Sequence, residues 1–174
     1  MLHFKNLPLH LQIFYLFFLL LIQQLSYGQE IENPEFKTLL KERLSHSVNE
    51  IDVKKAYSLI DSAIFLDARE KSEYDVSHIK NAQWVGYNSF KFSRISHIPK
   101  NKLIIIYCSI GYRSEKITEK LLKKGYTSVY NLYGGIFEWS NQSYPMYRGN
   151  IKTQDIHGYN KNWSKWITEG DITY

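Results

Sequence analysis

The chain has one cysteine, Cys108, in 174 residues, which excludes an intramolecular disulfide and any zinc site of the C-x-x-C kind. Histidine does not make up the lack, because His46, His78, His97 and His157 are scattered without ligand spacing. No metal site is expected. Charge of one sign is also scarce: 22 Lys and Arg against 17 Asp and Glu leave a net charge of +5. The only short basic runs are Lys54-Lys55 and Lys123-Lys124, which read as solvated helix faces, so the basic stripe of a nucleic-acid binder is missing. Internal repeats and low-complexity stretches are absent, and Gly134-Gly135 alone makes no phosphate loop. A run long enough to span a membrane is missing too. The unbroken apolar stretch Ile13 to Ile22 is half of the about 20 residues that a span requires.

That stretch has another reading. The first 28 residues contain 18 hydrophobic side chains, one Lys and no acid. A charged start, the apolar run, and Ser26 and Gly28 ahead of Gln29 make the three parts of a secretion signal. Residues 1–28 are therefore expected to be a signal peptide cleaved after Gly28, with the product exported: periplasmic if the source has an outer membrane, otherwise secreted. No stable membrane insertion is expected after cleavage. The rest has the size of one domain and needs no metal or disulfide framework to hold a core.

Residues 29–46 read as an N-terminal helical segment, with Phe36, Leu39, Leu40 and Leu44 at helical spacing behind Asn33 as cap and Pro34 at the first helical position. A domain follows over 47–149. Helices are expected over 53–60, 71–79 and 114–124, with another starting at Ile136; strands are expected over 63–66, 82–85, 103–107 and 129–132. The runs ending at Leu66 and Tyr107 lack polar alternation, as strands covered on both faces do. Strands and helices alternate, which predicts an α/β fold with a parallel sheet and helices on both faces. Residues 150–174 read as a C-terminal tail stapled to the domain by Trp163 and Trp166; a partner-binding peptide is the other reading.

Free cysteines are usually packed and inert, so the neighbourhood of Cys108 has to decide its role. Asp67 and Cys108 both fall at the carboxyl ends of expected parallel strands, where functional groups of such sheets gather. The segment Cys108-Ser109-Ile110-Gly111-Tyr112-Arg113 would then be a strand-to-helix loop whose N–H groups converge on an anion. The same field favours a thiolate. Gly111 lets the backbone curl, and Arg113 adds a permanent charge with a planar fork of donors. A nucleophilic sulfur in such a cup suits attack on sulfane sulfur or on phosphorus.

Two separated segments carry a resemblance. Leu66-Asp67-Ala68-Arg69-Glu70, Glu73-Tyr74 and His78-Ile79-Lys80-Asn81-Ala82 resemble the first signature of the rhodanese-like domains. Tyr107 to Ser114, followed by Leu121-Leu122, Gly125-Tyr126, Val129, Leu132, Gly134-Gly135, Trp139 and Pro145, resemble their active-site loop and the remainder of the domain. Ser77 and Asn81 stand where glycine is common, which bears on turn geometry only.

The resemblance implies a three-layer αβα fold with a sheet of about five parallel strands, and a sulfurtransferase without a cofactor. Cys108 would take sulfane sulfur from a small anionic donor such as thiosulfate, hold it as a persulfide and pass it to cyanide or a thiol. Ser109, Ile110, Gly111 and Tyr112 would cradle the persulfide, and Arg113 would bind the sulfonate end of the donor. By the same resemblance Asp67 and Arg69 form a structural ion pair, and His78 is a packed, hydrogen-bonded residue. Gly111-Tyr112-Arg113 is unlike the Gly-Val-Thr loop ending of mercaptopyruvate enzymes, which favours thiosulfate or a persulfide. The alternatives are a related Cys-based phosphatase or arsenate reductase, whose loop holds five residues between Cys and Arg where this chain has four, and a non-catalytic rhodanese-like interaction module.

Overall fold

A computed structural model describes residues 31–174 and, before them, Pro8. The expected signal peptide lies outside the described residues but for that proline. Among the described residues no helix is long and apolar enough to cross a membrane.

Asn33 caps the first helix, α1 (Pro34–Arg43), accepting the N–H groups of Glu35 and Phe36 on its side chain. A short strand, β1 (Glu50–Ile51), leads into α2 (Val53–Ser58), capped by Asp52. Then follow β2 (Ile64–Asp67), α3 (Lys71–Val76), β3 (His78–Ile79), β4 (Gln83–Trp84) and a 3-10 turn at Phe92–Ile95. The second half runs β5 (Ile104–Tyr107), α4 (Tyr112–Lys123), β6 (Val129–Leu132) and α5 (Gly135–Asn141). The central sheet has five strands in the order β1-β6-β5-β2-β4, and every pairing in it is parallel.

Strand β5 shows why the sheet is covered on both sides. Ile105 and Tyr107 pack into a core with Phe36, Leu40, Ala56, Phe137 and Trp139, from α1, α2 and α5. Ile104 and Ile106, on the opposite face, join Ile95, Ile98, Ile117 and Leu121, from the 3-10 segment and α4. The continuous apolar run in the sequence is this two-sided burial.

The helix expected over 71–79 ends at Val76, and His78 and Ile79 pair antiparallel with Tyr147 and Met146 of β7 (Met146–Arg148). Helix α3 stops there because Ser77 is extended, its carbonyl held by the Arg69 guanidinium, and the N–H of Ile79 is donated to the Tyr107 hydroxyl at 3.1 Å. Asn81 takes a left-handed backbone, φ 58°, one that asparagine tolerates better than most residues, so the missing glycine costs little. Strand β1 had no signal in the sequence; two residues are too short for a pattern.

Residues 150–174 hold more structure than a tail. They form β8 (Ile151–Thr153), β9 (Asp155–His157), α6 (Lys161–Ser164) and β10 (Asp171–Thr173). Strand β8 extends the β3-β7 pair, and β10 pairs with β9. Trp166 stacks on Phe36 at 5.6 Å, and Trp163 and Trp166 both pack against the core.

Candidate active site

The loop from Cys108 to Arg113 joins the carboxyl end of β5 to the start of α4. Its shape is set from behind. The carbonyls of Cys108 and Ser109 accept the N–H groups of Ile136 and Phe137 in α5 at 2.9 and 3.1 Å. Across each trans peptide the next N–H points the opposite way, so those of Ser109 and Ile110 face away from α5. Gly111 takes a left-handed φ of 112°, and its N–H reaches the Cys108 Sγ at 3.2 Å. The buried Asn131 of β6 fixes the far end: its Nδ2 donates to the Gly111 carbonyl at 3.1 Å, and its Oδ1 accepts the Ser114 hydroxyl at 2.7 Å. Nothing in the sequence singled out Asn131, which sits inside an expected strand.

Gly135 is the second position where only glycine fits. A Cβ there would lie 2.4 Å from the Cys108 carbonyl oxygen and 2.5 Å from that of Ser109. The glycine pair read as a simple turn is thus the surface on which the loop rests.

Arg113 differs from its expected role as an open anion receptor. Its two terminal nitrogens donate to the Glu73 carboxylate at 2.7 and 2.8 Å, and one also reaches the Ser109 hydroxyl at 2.9 Å. Glu73 further accepts the Ser109 hydroxyl and the Glu70 N–H. Burial pushes the Glu73 pKa up, but the bonds and charge of Arg113, with the charge of Arg69, outweigh it and leave the carboxyl below its ordinary value. Burial acts likewise against the Arg113 charge, and Glu73 and the nearby Cys108 thiol together hold its pKa above the ordinary value. Glu73 was legible as part of a family signature; its partnership with Arg113 was not.

Under the loop lies a buried scaffold. Arg69 and Asp67 are fully buried, with Nε and Nη2 of the arginine on both carboxylate oxygens. The guanidinium lies 5.7 Å from the Tyr107 ring centre. His78 is buried, stacked on Tyr74 at 4.4 Å, and donates from Nδ1 to the Ile79 carbonyl at 2.9 Å.

Cys108 opens into a cavity of about 570 Å³. Ser109, Ile110, Tyr112 and Arg113 of the loop line it, and so do Glu42 and Arg43 from α1, and Glu70, Tyr87 and Asn88. The remaining wall is Tyr159 and Trp163 from the C-terminal segment. Tyr159 sits with its ring 5.2 Å from the Arg113 guanidinium.

A cysteine-bearing loop at the carboxyl edge of a five-stranded parallel sheet, beside a buried Asp-Arg pair, defines an α/β domain with a strand-to-helix cysteine loop. The chain belongs to the family of rhodanese-like domains, whose model matches residues 52–142. Among solved structures it is similar to the BH2092 protein of Bacillus halodurans, with TM-score 0.54 and 23% identity over 69% of this chain and 89% of that one. It is also similar to a thiosulfate sulfurtransferase of Pseudomonas aeruginosa, with TM-score 0.54 and 22% identity over 66% of this chain and 22% of that one. At these identities the likeness is one of fold. Among curated proteins it is similar to the tRNA uridine(34) hydroxylase of Aster yellows witches'-broom phytoplasma, 38% identical over 44% of this chain and 26% of the relative. The enzyme of the same name from Cytophaga hutchinsonii is 30% identical over 64% of this chain and 31% of the relative. The matched part thus spans less than a third of those relatives.

Proposed function

We infer that this chain is a sulfurtransferase working through a persulfide on Cys108, and that it is exported by its leader. The Cys108 thiolate attacks the sulfane sulfur of a donor; the new S–S bond forms as the bond to the leaving sulfite, sulfinate or thiolate breaks, and the leaving group takes the electron pair. The bound sulfur then passes to cyanide or a thiol, restoring the thiolate. Oriented N–H groups stabilise negative sulfur without rearranging, and the Gly111 N–H on Sγ is the observation that carries this reading.

Arg113 contributes its charge to the same site while Glu73 holds its fork. With four residues between Cys108 and Arg113, the loop is one short of the phosphatase and arsenate-reductase form, which favours sulfur over a tetrahedral oxyanion. The hydroxylase activity named for the curated relatives belongs to chains more than three times the length matched here, and the Cys108 loop gives it no separate support.

The experiment is intact mass of the purified protein after treatment with thiosulfate or benzenethiosulfonate. A gain of one sulfur atom, removed by cyanide as thiocyanate and missing in Cys108→Ser, is expected. No gain from either donor, or a gain that survives in the Ser variant, overturns the reading.

A further inference from the structure

Resting on that reading, we propose that the residues beyond the family domain select the sulfur donor: Tyr159 and Trp163 make the Cys108 cavity a site for an organic sulfane-sulfur carrier with a flat apolar body. The family model ends at residue 142, and both aromatic residues come after it.

Charge is the first argument. The cavity wall offers Glu42 and Glu70 against Arg43 and Arg113, so its charges cancel, and the fork of Arg113 is taken up by Glu73. A small dianion such as thiosulfate finds the donor fork of the loop arginine occupied, and a wall without net positive charge does little to draw it in.

Size is the second. A cavity of about 570 Å³ falls in the range of about 300–1,000 Å³ that holds drug-sized molecules, several times what a five-atom oxyanion fills. Its walls include four aromatic side chains, Tyr87, Tyr112, Tyr159 and Trp163. Tyr112 and Tyr159 are 46% and 48% exposed, so their rings are available to a ligand.

Backbone strain is the third. Tyr159 has φ 63°, a left-handed conformation unfavourable for a bulky residue and common where a side chain is held for a function. Its N–H is fixed on His157 Nδ1 at 3.0 Å, and its ring rests on the Arg113 guanidinium. The turn presents an aromatic face beside the nucleophile.

In the reaction the Cys108 thiolate attacks the terminal sulfur of R–S–SH; the Cys108 S–S bond forms, the R–S to sulfur bond breaks, and RS⁻ leaves with the electron pair. A thiosulfonate R–SO₂–S⁻ reacts alike, releasing the sulfinate R–SO₂⁻. Benzenethiosulfonate and methanethiosulfonate share the reacting sulfur and charge and differ in the body R, which makes them suitable probes.

With the full chain and cyanide as acceptor, kcat/KM for benzenethiosulfonate is expected to exceed that for methanethiosulfonate by about tenfold, the value of one ring contact with its buried area. Tyr159→Asn keeps a residue that tolerates the left-handed backbone and removes the ring, and should bring the ratio most of the way to one; Trp163→Leu should lower it, and Tyr159→Phe should keep it. The ratio cancels the active fraction, so a partly unfolded variant does not mimic the effect. A ratio near one in the parent chain, or one unmoved in both Tyr159→Asn and Trp163→Leu, overturns this proposal and leaves sulfur transfer standing. Failure of every donor to load Cys108 overturns both.

Discussion

Arg113 and Glu73, forty residues apart in the chain, face each other as a two-pronged ion pair at 2.7 and 2.8 Å. The pair ties α3 to the first turn of α4 and closes one side of the Cys108 loop. Glu73 is 2% exposed, so its carboxylate has little water to replace a lost partner, while Arg113 keeps an edge on the cavity.

Glu73→Gln should therefore destabilise the fold. Breaking a buried pair from one side costs about 3–5 kcal/mol, and the amide, which keeps one acceptor, should place the loss at the lower end. Urea unfolding near neutral pH measures it. The pH dependence has a fixed sign. Because the folded pKa of Glu73 is depressed, its contribution is complete above the unfolded carboxyl value of about 4.3 and is lost as pH falls through the lower folded value. The stability curves of parent and variant should converge on acidification over that window; parallel curves would show that Glu73 is not the group responsible.

Gly135→Ala tests the surface under the loop. The left-handed φ of 59° costs alanine about 1–2 kcal/mol, and the overlap with two carbonyl oxygens adds to that or moves the loop. The variant should unfold at lower denaturant and load less sulfur on Cys108. Unchanged loading would mean that the loop keeps its shape without that contact.

The parts of this arrangement that sequence disclosed are local. Ile104 to Tyr107 and the Cys108 loop can be read because a buried strand and a strand-to-helix turn are made by consecutive residues. Asp67 and Arg69 are two positions apart and came with a family signature. The grip of Glu73 on Arg113, the support of Gly111 by Asn131 and the placing of Tyr159 against Arg113 join residues 20 to 46 positions apart, through packing that no periodicity records. Arg113 looked like an open receptor for the same reason: its partner lies on another helix.

Asp67→Asn should be among the most damaging single changes. It leaves the Arg69 guanidinium, fully buried, without its counter-charge, at a cost of about 3–5 kcal/mol. Adding Arg69→Met removes the orphaned charge and should recover part of the loss in a double-mutant cycle of unfolding free energies. A double variant no more stable than Asp67→Asn would show that the arginine acts mainly through its bond to the Ser77 carbonyl.

His157 gives the C-terminal segment a pH dependence. Burial holds its pKa below the ordinary value, with Arg69 and Arg113 acting in the same direction and Glu73 against them. The folded chain thus prefers the neutral ring, while the unfolded chain takes up a proton near the ordinary value of about 6.5. Stability from this residue is complete above that pH and is lost as pH falls through the folded value. Geometry points the same way, since Nδ1 accepts the Tyr159 N–H and a doubly protonated ring has no acceptor left. Protonation must break the bond that holds the Tyr159 turn. The unfolding midpoint should fall on going from about pH 7.5 to about pH 5, and His157→Asn, whose side-chain oxygen can take the same N–H, should flatten that part of the profile. Equal slopes in the two proteins would assign the acid sensitivity to another group.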